Sequence, residues 1–284
     1  MPEPEAAGSR VIPLRMLLFI DGLGSGGAQR QFTHLAIGLA RRGHRVSVAV
    51  YNEQDHFADQ IKAAGIATSL DTAHVDVDTP AGQIDWRAYL ARVLPHVDFF
   101  LPSLDEIFFM LERERFQAMA ATMKVGAHHA IEGGIALLQA LATTLLDMGV
   151  AVVGLKLGEQ GIYLRTTDDP TRLHRLGKVT LSESWLNREL LAPAFAVETV
   201  GTTGAGDCAV AGFLAALLRG LGPEAALTAA AGAGACNVEV ADAISGIPTW
   251  ETLQARIYAD WPRRQLQIPL AGWQYIATSG LWHK

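Results

Sequence analysis

The chain has 284 residues and a mass of 30.5 kDa, which is enough for one large α/β domain or two small ones. Half of the residues are hydrophobic and 18% are charged, which excludes a disordered or fibrous protein. The formal net charge of −6 offers no general attraction to nucleic acid or to an anionic membrane, so we expect neither as a partner.

The cysteine content and the N-terminus bear on the compartment. Cys208 and Cys236 are too few for a disulfide framework in a chain of this length, so we predict a cytoplasmic protein. The apolar stretches fall short of the roughly 20 residues that a membrane span requires. Residues 1–14 are predicted to be a loose tail, because they begin with an acidic, proline-containing segment and have no apolar core of a secretory signal.

The first periodic segments alternate strands with helices. Residues 15–21 are a short apolar run, typical of a buried strand, and a glycine-rich loop separates them from an amphipathic helix over 28–42. A β-branched strand over 45–51 and a short helix over 56–64 follow. This order predicts a βαβα unit over residues 15–69.

A polar, irregular stretch over residues 71–85 marks a junction after this unit. It contains an acidic cluster of Asp71, Asp76 and Asp78. We interpret this cluster as a solvated loop rather than as a cation site.

The remainder of the chain uses the same alternation of strands and helices. The pattern predicts helices over 86–94, 104–111, 135–148, 207–219 and 224–238, and extended segments over 97–101, 151–157, 161–165 and 189–200. We therefore predict an α/β fold: a three-layer, Rossmann-like sandwich with a mostly parallel sheet. The first unit and the remainder can share one continuous sheet.

A glycine-rich loop leads into the helix predicted to begin at residue 207. Its sequence is GTTGAGD, residues 201–207. The unpaired N–H groups and the dipole of a helix N-terminus favour an anion such as phosphate. Asp207, at the edge of such a site, suits a base that deprotonates an attacking hydroxyl. On physical grounds alone, an ordinary glycine turn with Asp207 as a helix cap is an equal alternative.

The stretch TTGAGDCAVAGFLAALLRG resembles the second signature of the PfkB, or ribokinase-like, carbohydrate kinases. Residues 85–111, 152–166 and 187–201 resemble further elements of that family, in the same order. The resemblance covers about residues 70–284 and implies a ribokinase-like C-terminal part. It also implies an enzyme that uses ATP and Mg²⁺ to phosphorylate a hydroxyl group of a sugar or nucleoside.

The resemblance implies roles for single residues around the phosphates. Asp207 matches the family's catalytic base. Gly204, Ala205 and Gly206 match the anion hole that stabilises charge on the transferring phosphoryl group. Glu106 matches the glutamate that organises magnesium through water.

The resemblance also implies a nucleotide site. Lys156, Gly158 and Gly161 match the family's nucleotide-contacting turn, and Asn237 lies on the helix that flanks the adenine. One departure concerns the Asn-x-x-Glu motif, whose leading Asn is Ser103 here.

The segment before residue 70 does not resemble the long N-terminal half of the family, which carries most sugar contacts. Residues 15–69 resemble instead the opening of a GT-B glycosyltransferase of the family 4 type, with Gly26 and Gly27 matching its phosphate-facing loop. The glycine spacing over residues 22–27 also fits a dinucleotide fingerprint, with Glu53 as its acidic partner. The donor-binding domain of such a transferase has no counterpart downstream, so we expect no glycosyl transfer. A natural fusion and a constructed chimera both remain open.

Three classes of function follow from the sequence. The first is an ATP-dependent carbohydrate or nucleoside kinase. The second is a nucleotide-binding protein without turnover, which lacks the sugar-binding half. The third is a glycosyltransferase-like or dinucleotide-binding protein that uses the loop over residues 22–27. The sequence does not determine the acceptor, nor whether the chain forms a homodimer.

Overall fold

The computed structural model describes residues 15–20, 23, 25, 27–50, 56–123, 129–174, 176, 179 and 181–284. The predicted tail over residues 1–14 lies outside them. Nine strands are present in the described part of the chain: β1 (Arg15–Ile20), β2 (Arg45–Val50), β3 (Ala67–Leu70), β4 (Phe99–Phe100), β5 (Val152–Lys156), β6 (Ile162–Thr166), β7 (Glu189–Ala192), β8 (Gln274–Ile276) and β9 (Leu281–His283).

All nine strands form one sheet in the order β1-β2-β3-β4-β5-β6-β7-β9-β8. The first five strands pair in parallel, as βα units require, whereas every pairing from β5 onward is antiparallel. The predicted first unit is part of this sheet, because β2 pairs with β3 and Ser69 of β3 pairs with Phe99 of β4. The sheet is therefore continuous across residue 70, and the division into two domains at that point stays a prediction.

The sheet lies between layers of helices. The helices of the described residues are α1 (Gly27–Arg41), α2 (Ala58–Ala63), α3 (Trp86–Val93), α4 (Leu104–Leu111), α5 (Arg113–Thr122), α6 (His129–Asp147), α7 (Pro170–His174), α8 (Ala205–Leu218), α9 (Pro223–Val238) and α10 (Trp250–Tyr258). Of these, α5, α7 and α10 were not predicted from the sequence, and neither were β3, β8 and β9.

The strands in the middle of the sheet are buried on both faces, which is why they read as unbroken apolar runs. Val152 of β5 belongs to the core beneath α8 and α9, whereas the next residue, Val153, belongs to the core beneath α3, α4 and α6. Leu164 and Tyr163 of β6 divide in the same way. This alternation gives the predicted three-layer α/β arrangement.

Helix α6 is apolar and long enough, by length and composition alone, to cross a membrane. Gly134 interrupts its helical geometry with φ 59° and ψ −168°, so the regular part begins after it. Leu137, Leu138 and Leu141 are fully buried in the core that α6 shares with α3, α4 and β5. These contacts make α6 a core helix of the sandwich.

Candidate active site

A cleft of about 750 Å³ lies where β3, β4 and β5 end and α8 begins. The carboxyl ends of parallel strands meet at one edge of a sheet, which is where α/β folds place their ligand sites. Asp71, Ser103 and Lys156 line the cleft from these three strand ends, and Gly204–Asp207 line it from the start of α8. The topology thus brings together segments that are far apart in the sequence.

The start of α8 presents unpaired backbone donors to the cleft. Helical hydrogen bonding begins with the amide of Cys208, which donates to the carbonyl oxygen of Gly204 at 2.9 Å. The amides of Gly206 and Asp207 precede it and have no acceptor within the helix. Gly204 makes the turn, with φ 80°, and a Cβ atom there would lie 2.8 Å from the Cβ atom of Ala243. A glycine is therefore required at this position.

Asp207 occupies the first turn of α8 and its side chain is exposed on the cleft. Among the residues that the structure describes, its carboxylate has no hydrogen-bond partner. The helix-cap alternative fails on this point, because a capping carboxylate would accept from a backbone amide. The carboxylate is instead available to an incoming ligand.

A buried ion pair lies beside this helix start. The ammonium of Lys156 is 2.5 Å from a carboxylate oxygen of Asp71, and the two side chains are only 13% and 14% exposed. Burial raises the pKa of Asp71 above its ordinary value, although the Lys156 charge opposes the shift. A Cβ atom on Gly206 would lie 3.3 Å from Lys156 Nζ, so the ammonium lies against the N-terminus of α8.

The position of Asp71 corrects the interpretation of the acidic cluster. Asp76 and Asp78 are exposed, as a solvated loop requires, whereas Asp71 lines the cleft and pairs with Lys156. The prediction of a solvated loop was therefore wrong for Asp71. The signal in the sequence was its place directly after Leu70, at the carboxyl end of a buried strand.

Glu106, which also lines the cleft, is held at the start of α4. Its Oε2 atom accepts from the backbone amide of Ser103 at 3.2 Å and from the hydroxyl of Thr72 at 2.8 Å. Both donors bind the same oxygen, which leaves Oε1 without a partner among the described residues. Glu106 is thus fixed in orientation and keeps one carboxylate oxygen for another ligand.

The turn between β5 and β6 forms another wall of the cleft through Gly158 and Gly161. Gly161 has φ 100°, and a Cβ atom there would lie 2.0 Å from the carbonyl oxygen of Ala192 on β7. Gly158 has φ 58° and open space around it. The two glycines belong to the same turn, but only Gly158 has space for a side chain.

Much of the remaining cleft wall is apolar. It includes small and hydrophobic residues from β6, the segment after β7, and α9: Ile162, Phe195, Val197, Ala231, Gly234, Ala235 and Val238. The cleft therefore combines a helix start that suits an anion with an apolar wall that suits a ring.

Three further residues were predicted to bind a ligand: Asn237, Gly26 and Gly27. Asn237 is fully buried, is absent from the cleft lining, and donates through its amide to the carbonyl oxygens of Asp242 and Ala243. Gly26 lies outside the described residues, and Gly27 is the first residue of α1. Their roles in binding a nucleotide or phosphate stay predictions.

A family model described as the pfkB family of carbohydrate kinases matches residues 59–250. Because this match covers more than half of the chain, the chain belongs to the PfkB family. The predicted likeness of residues 15–69 to a glycosyltransferase is not shown. No curated protein sequence matches the chain.

Solved structures with this fold include the Arabidopsis thaliana ribokinase complexed with ribose and ATP, which is 21% identical with a TM-score of 0.52 over 78% of this chain and 58% of that one. A protein described as ribokinase II from E. coli, in complex with ATP and Mg²⁺, is 19% identical with a TM-score of 0.52 over 75% of this chain and 58% of that one. The aminoimidazole riboside kinase from Salmonella enterica, complexed with aminoimidazole riboside and an ATP analogue, is 21% identical with a TM-score of 0.50 over 75% of this chain and 62% of that one. These likenesses confirm the ribokinase-like α/β fold. The chain spans about three fifths of the length of these proteins.

Removal of one partner of the Lys156–Asp71 pair is expected to destabilise the fold. Asp71→Ala should lower the free energy of unfolding by about 2–3 kcal/mol, because it leaves a buried ammonium without a counter-charge. Asp71→Ala combined with Lys156→Met should recover part of that loss, since neither charge is then buried. Urea denaturation of the single and double variants measures both effects.

The pair Glu159–Arg264 is the matched control for this measurement. Its side chains are 43% and 37% exposed, so Glu159→Ala should change the free energy of unfolding by no more than about 0.5 kcal/mol. A double variant as unstable as Asp71→Ala alone would show that the ion pair is not the cause.

Proposed function

We propose that the chain is an ATP-dependent phosphotransferase that acts on a hydroxyl group of a sugar or nucleoside. The observation that carries the proposal is the arrangement of the cleft formed by β3–β5 and α8. A helix N-terminus, the Lys156–Asp71 pair and two further carboxylates, Glu106 and Asp207, line this cleft, and much of its remaining wall is apolar. This arrangement matches the chemistry of a nucleoside triphosphate, which joins an anionic chain to an apolar ring.

The phosphates of ATP would bind at the start of α8. The free amides of Gly206 and Asp207 and the partial positive charge of the helix favour an anion there, and the Lys156 ammonium, which is paired with Asp71, lies against the same helix start. The ring would lie against the apolar wall beside Phe195 and Val197. The glycine turn at Gly158 and Gly161 lines the same cleft.

Asp207 would act as the general base. The acceptor oxygen forms a bond to the γ-phosphorus while its proton passes to the Asp207 carboxylate, and the bond between the γ-phosphorus and the bridging oxygen breaks to release ADP. The helix start over Gly204–Gly206, through the free amide of Gly206, would stabilise the charge on the transferring group. A carboxylate without another partner is the residue type and state that this step requires.

The residues present fit a magnesium ion bound through water. Among the described residues no group of three or more His, Cys, Asp or Glu side chains forms a metal cluster. Glu106, with one carboxylate oxygen unpartnered, offers the oxygen chemistry that Mg²⁺ prefers while the ion keeps several waters. When bound, the ion would neutralise charge on the ATP phosphates.

Glu106→Gln is expected to weaken the magnesium-dependent binding of ATP by about tenfold and to leave magnesium-free binding within twofold. The glutamine keeps a carbonyl oxygen for Ser103 and Thr72, so α4 should remain in place. Calorimetric titration with and without Mg²⁺ measures the difference. Glu159→Gln, at another wall of the cleft, is the control that should preserve the magnesium dependence. Equal losses with and without the ion would make Glu106 purely structural.

The proposal is tested by ATP binding and by ADP release. Titration of the full chain should show magnesium-dependent ATP binding that Lys156→Gln weakens. Coupled detection of ADP with hexoses, pentoses and nucleosides should then identify an acceptor. ATP binding without release on any acceptor would favour a nucleotide-binding protein without turnover. The absence of ATP binding would contradict the proposal and leave a dinucleotide as the next ligand to test.

A further inference from the structure

A second groove, of about 1020 Å³, lies on the other side of Phe195 from the cleft. It is formed by the end of α10, the segment over residues 260–270, and the turn between β8 and β9. Phe195 and Arg264 line both cavities, so they form the wall between them. Neither the family model nor the proposed function assigns a ligand to this groove.

Four side chains form a column along one side of the groove. The guanidinium of Arg256 lies 3.6 Å from the ring centre of Trp261, and Trp261 stacks on Phe195 at 4.3 Å with an interplanar angle of 19°. The guanidinium of Arg263 lies 4.2 Å from the ring centre of Phe195. Trp261 and Arg263 must lie on opposite faces of Phe195, because at these distances one face has no room for both. A cation therefore stands at each end of two stacked rings.

The two ends of this column differ in charge balance. Arg256 makes two hydrogen bonds to the carboxylate of Glu239, at 2.5 and 2.7 Å. Arg263 donates only to neutral oxygens, the Pro193 carbonyl at 2.7 Å and the Thr228 hydroxyl at 3.2 Å. Among the described residues it has no carboxylate partner, and these two bonds use two of its five N–H donors.

Arg263 is the charged side chain of the groove that an anionic ligand would stabilise. Burial lowers its pKa to about 10, since the charged form is desolvated without a counter-ion. Arg264, the neighbouring cation, is already paired with Glu159 at 2.8 Å. Buried charges in proteins are usually paired, and a guanidinium binds phosphate through two parallel hydrogen bonds.

The acidic groups that line the groove do not supply this partner. Glu224 is paired with Arg188, and the exposed Asp260 makes no ion pair with Arg263 among the described residues. The Tyr275 hydroxyl is the only group of the described residues whose charge acts on the pKa of Arg263. The remaining walls combine aliphatic and small polar residues with three aromatic side chains, Tyr258, Tyr275 and Trp282.

We propose that this groove is a second ligand site, separate from the cleft, which binds a phosphate group joined to an aromatic or apolar body. The guanidinium of Arg263 binds the phosphate, and Tyr258, Tyr275 and Trp282 contact the body. Three N–H donors of Arg263 supply the hydrogen bonds that the protein itself leaves unused.

Calorimetric titration of the full chain with phenyl phosphate tests the site. Arg263→Gln should weaken binding at least tenfold, because the glutamine keeps a donor for Pro193 or Thr228 but removes the charge. Lys156→Gln, which removes the cation beside the start of α8 in the cleft, should leave this binding within twofold. Inorganic phosphate should bind more weakly than phenyl phosphate, since it lacks the ring.

A second variant, Thr278→Glu, tests the same groove if Arg263→Gln does not fold. Thr278 is exposed on the β8–β9 turn and lines the groove, so Thr278→Glu adds a carboxylate without removing a contact. It should weaken phenyl phosphate several-fold. Binding that survives Arg263→Gln and Thr278→Glu but is lost in Lys156→Gln would place the anion in the cleft and overturn the proposal. Equal affinity for benzoate would contradict a phosphate ligand.

Discussion

Asp207→Asn is expected to lower kcat by about 10²–10⁴-fold while ATP affinity stays within a few-fold. Asparagine keeps the size of the side chain and its ability to cap a helix, but it cannot take a proton from the acceptor. Because the Asp207 carboxylate has no partner among the described residues, its removal breaks no contact of the fold. Coupled ADP detection on the acceptor found by screening, with calorimetry for ATP, measures the two quantities.

Glu251→Gln is the matched control for this variant. Glu251 is an exposed acid in the first turn of α10, away from the cleft, so its loss should change neither turnover nor ATP affinity. Undiminished turnover in Asp207→Asn would remove Asp207 from the mechanism. Parallel losses of turnover and of ATP affinity would indicate that Asp207 serves binding rather than proton transfer.

Gly161→Ala is expected to lower the free energy of unfolding by about 3–4 kcal/mol. The new Cβ atom would lie 2.0 Å from the carbonyl oxygen of Ala192, and the backbone angle φ of 100° is one that alanine rarely adopts. Ile162 pairs with Ala192, so relief of this clash must push β6 away from β7. A thermal melt should show the midpoint lowered by about 10 °C.

Gly158→Ala, in the same turn, measures the effect of backbone strain without a steric clash of the added Cβ atom. Gly158 also has a positive φ, 58°, but an added Cβ atom would meet nothing within 4 Å. Its substitution should therefore lower the free energy of unfolding by only about 1 kcal/mol, because alanine must adopt a left-handed backbone conformation. Equal losses in the two variants would show that the contact between Gly161 and β7 is not what the turn depends on.

Local patterns were enough to predict the βα elements and the phosphate-binding helix. The alternation of apolar runs with amphipathic stretches predicted β1, α1, β2, β5 and α9 to within a few residues of their observed bounds. The GTTGAGD loop predicted a helix N-terminus with free amides, because glycine at a left-handed position followed by an apolar helix is a local property. These features depend on residues that are neighbours in the chain, so they can be predicted from the sequence alone.

The partners of the site residues were decided by tertiary structure. The sequence placed Asp71 in a solvated loop, and only the pairing of β3 beside β4 and β5 brings it to Lys156, 85 positions away. The sequence placed Asn237 on the helix that flanks the nucleotide, but it did not show that the turn at Asp242 and Ala243 accepts hydrogen bonds from this buried side-chain amide. The environment of Asp71 is thus set by a segment distant along the chain, whereas that of Asn237 is set by the turn that follows its own helix.

The last strands of the sheet also depend on tertiary contacts. Three-residue strands such as β8 and β9 are too short to show an alternating pattern, and they form only because β7 offers an edge for β9 to pair with. The column of Arg256, Trp261, Phe195 and Arg263 likewise exists only where α10 and the following segment pack beside β7. The sequence by itself thus determined most of the helices and strands and the anion-binding helix. The strand order, the Lys156–Asp71 pair and the second groove were decided by the tertiary structure, because each depends on contacts between residues far apart in the chain.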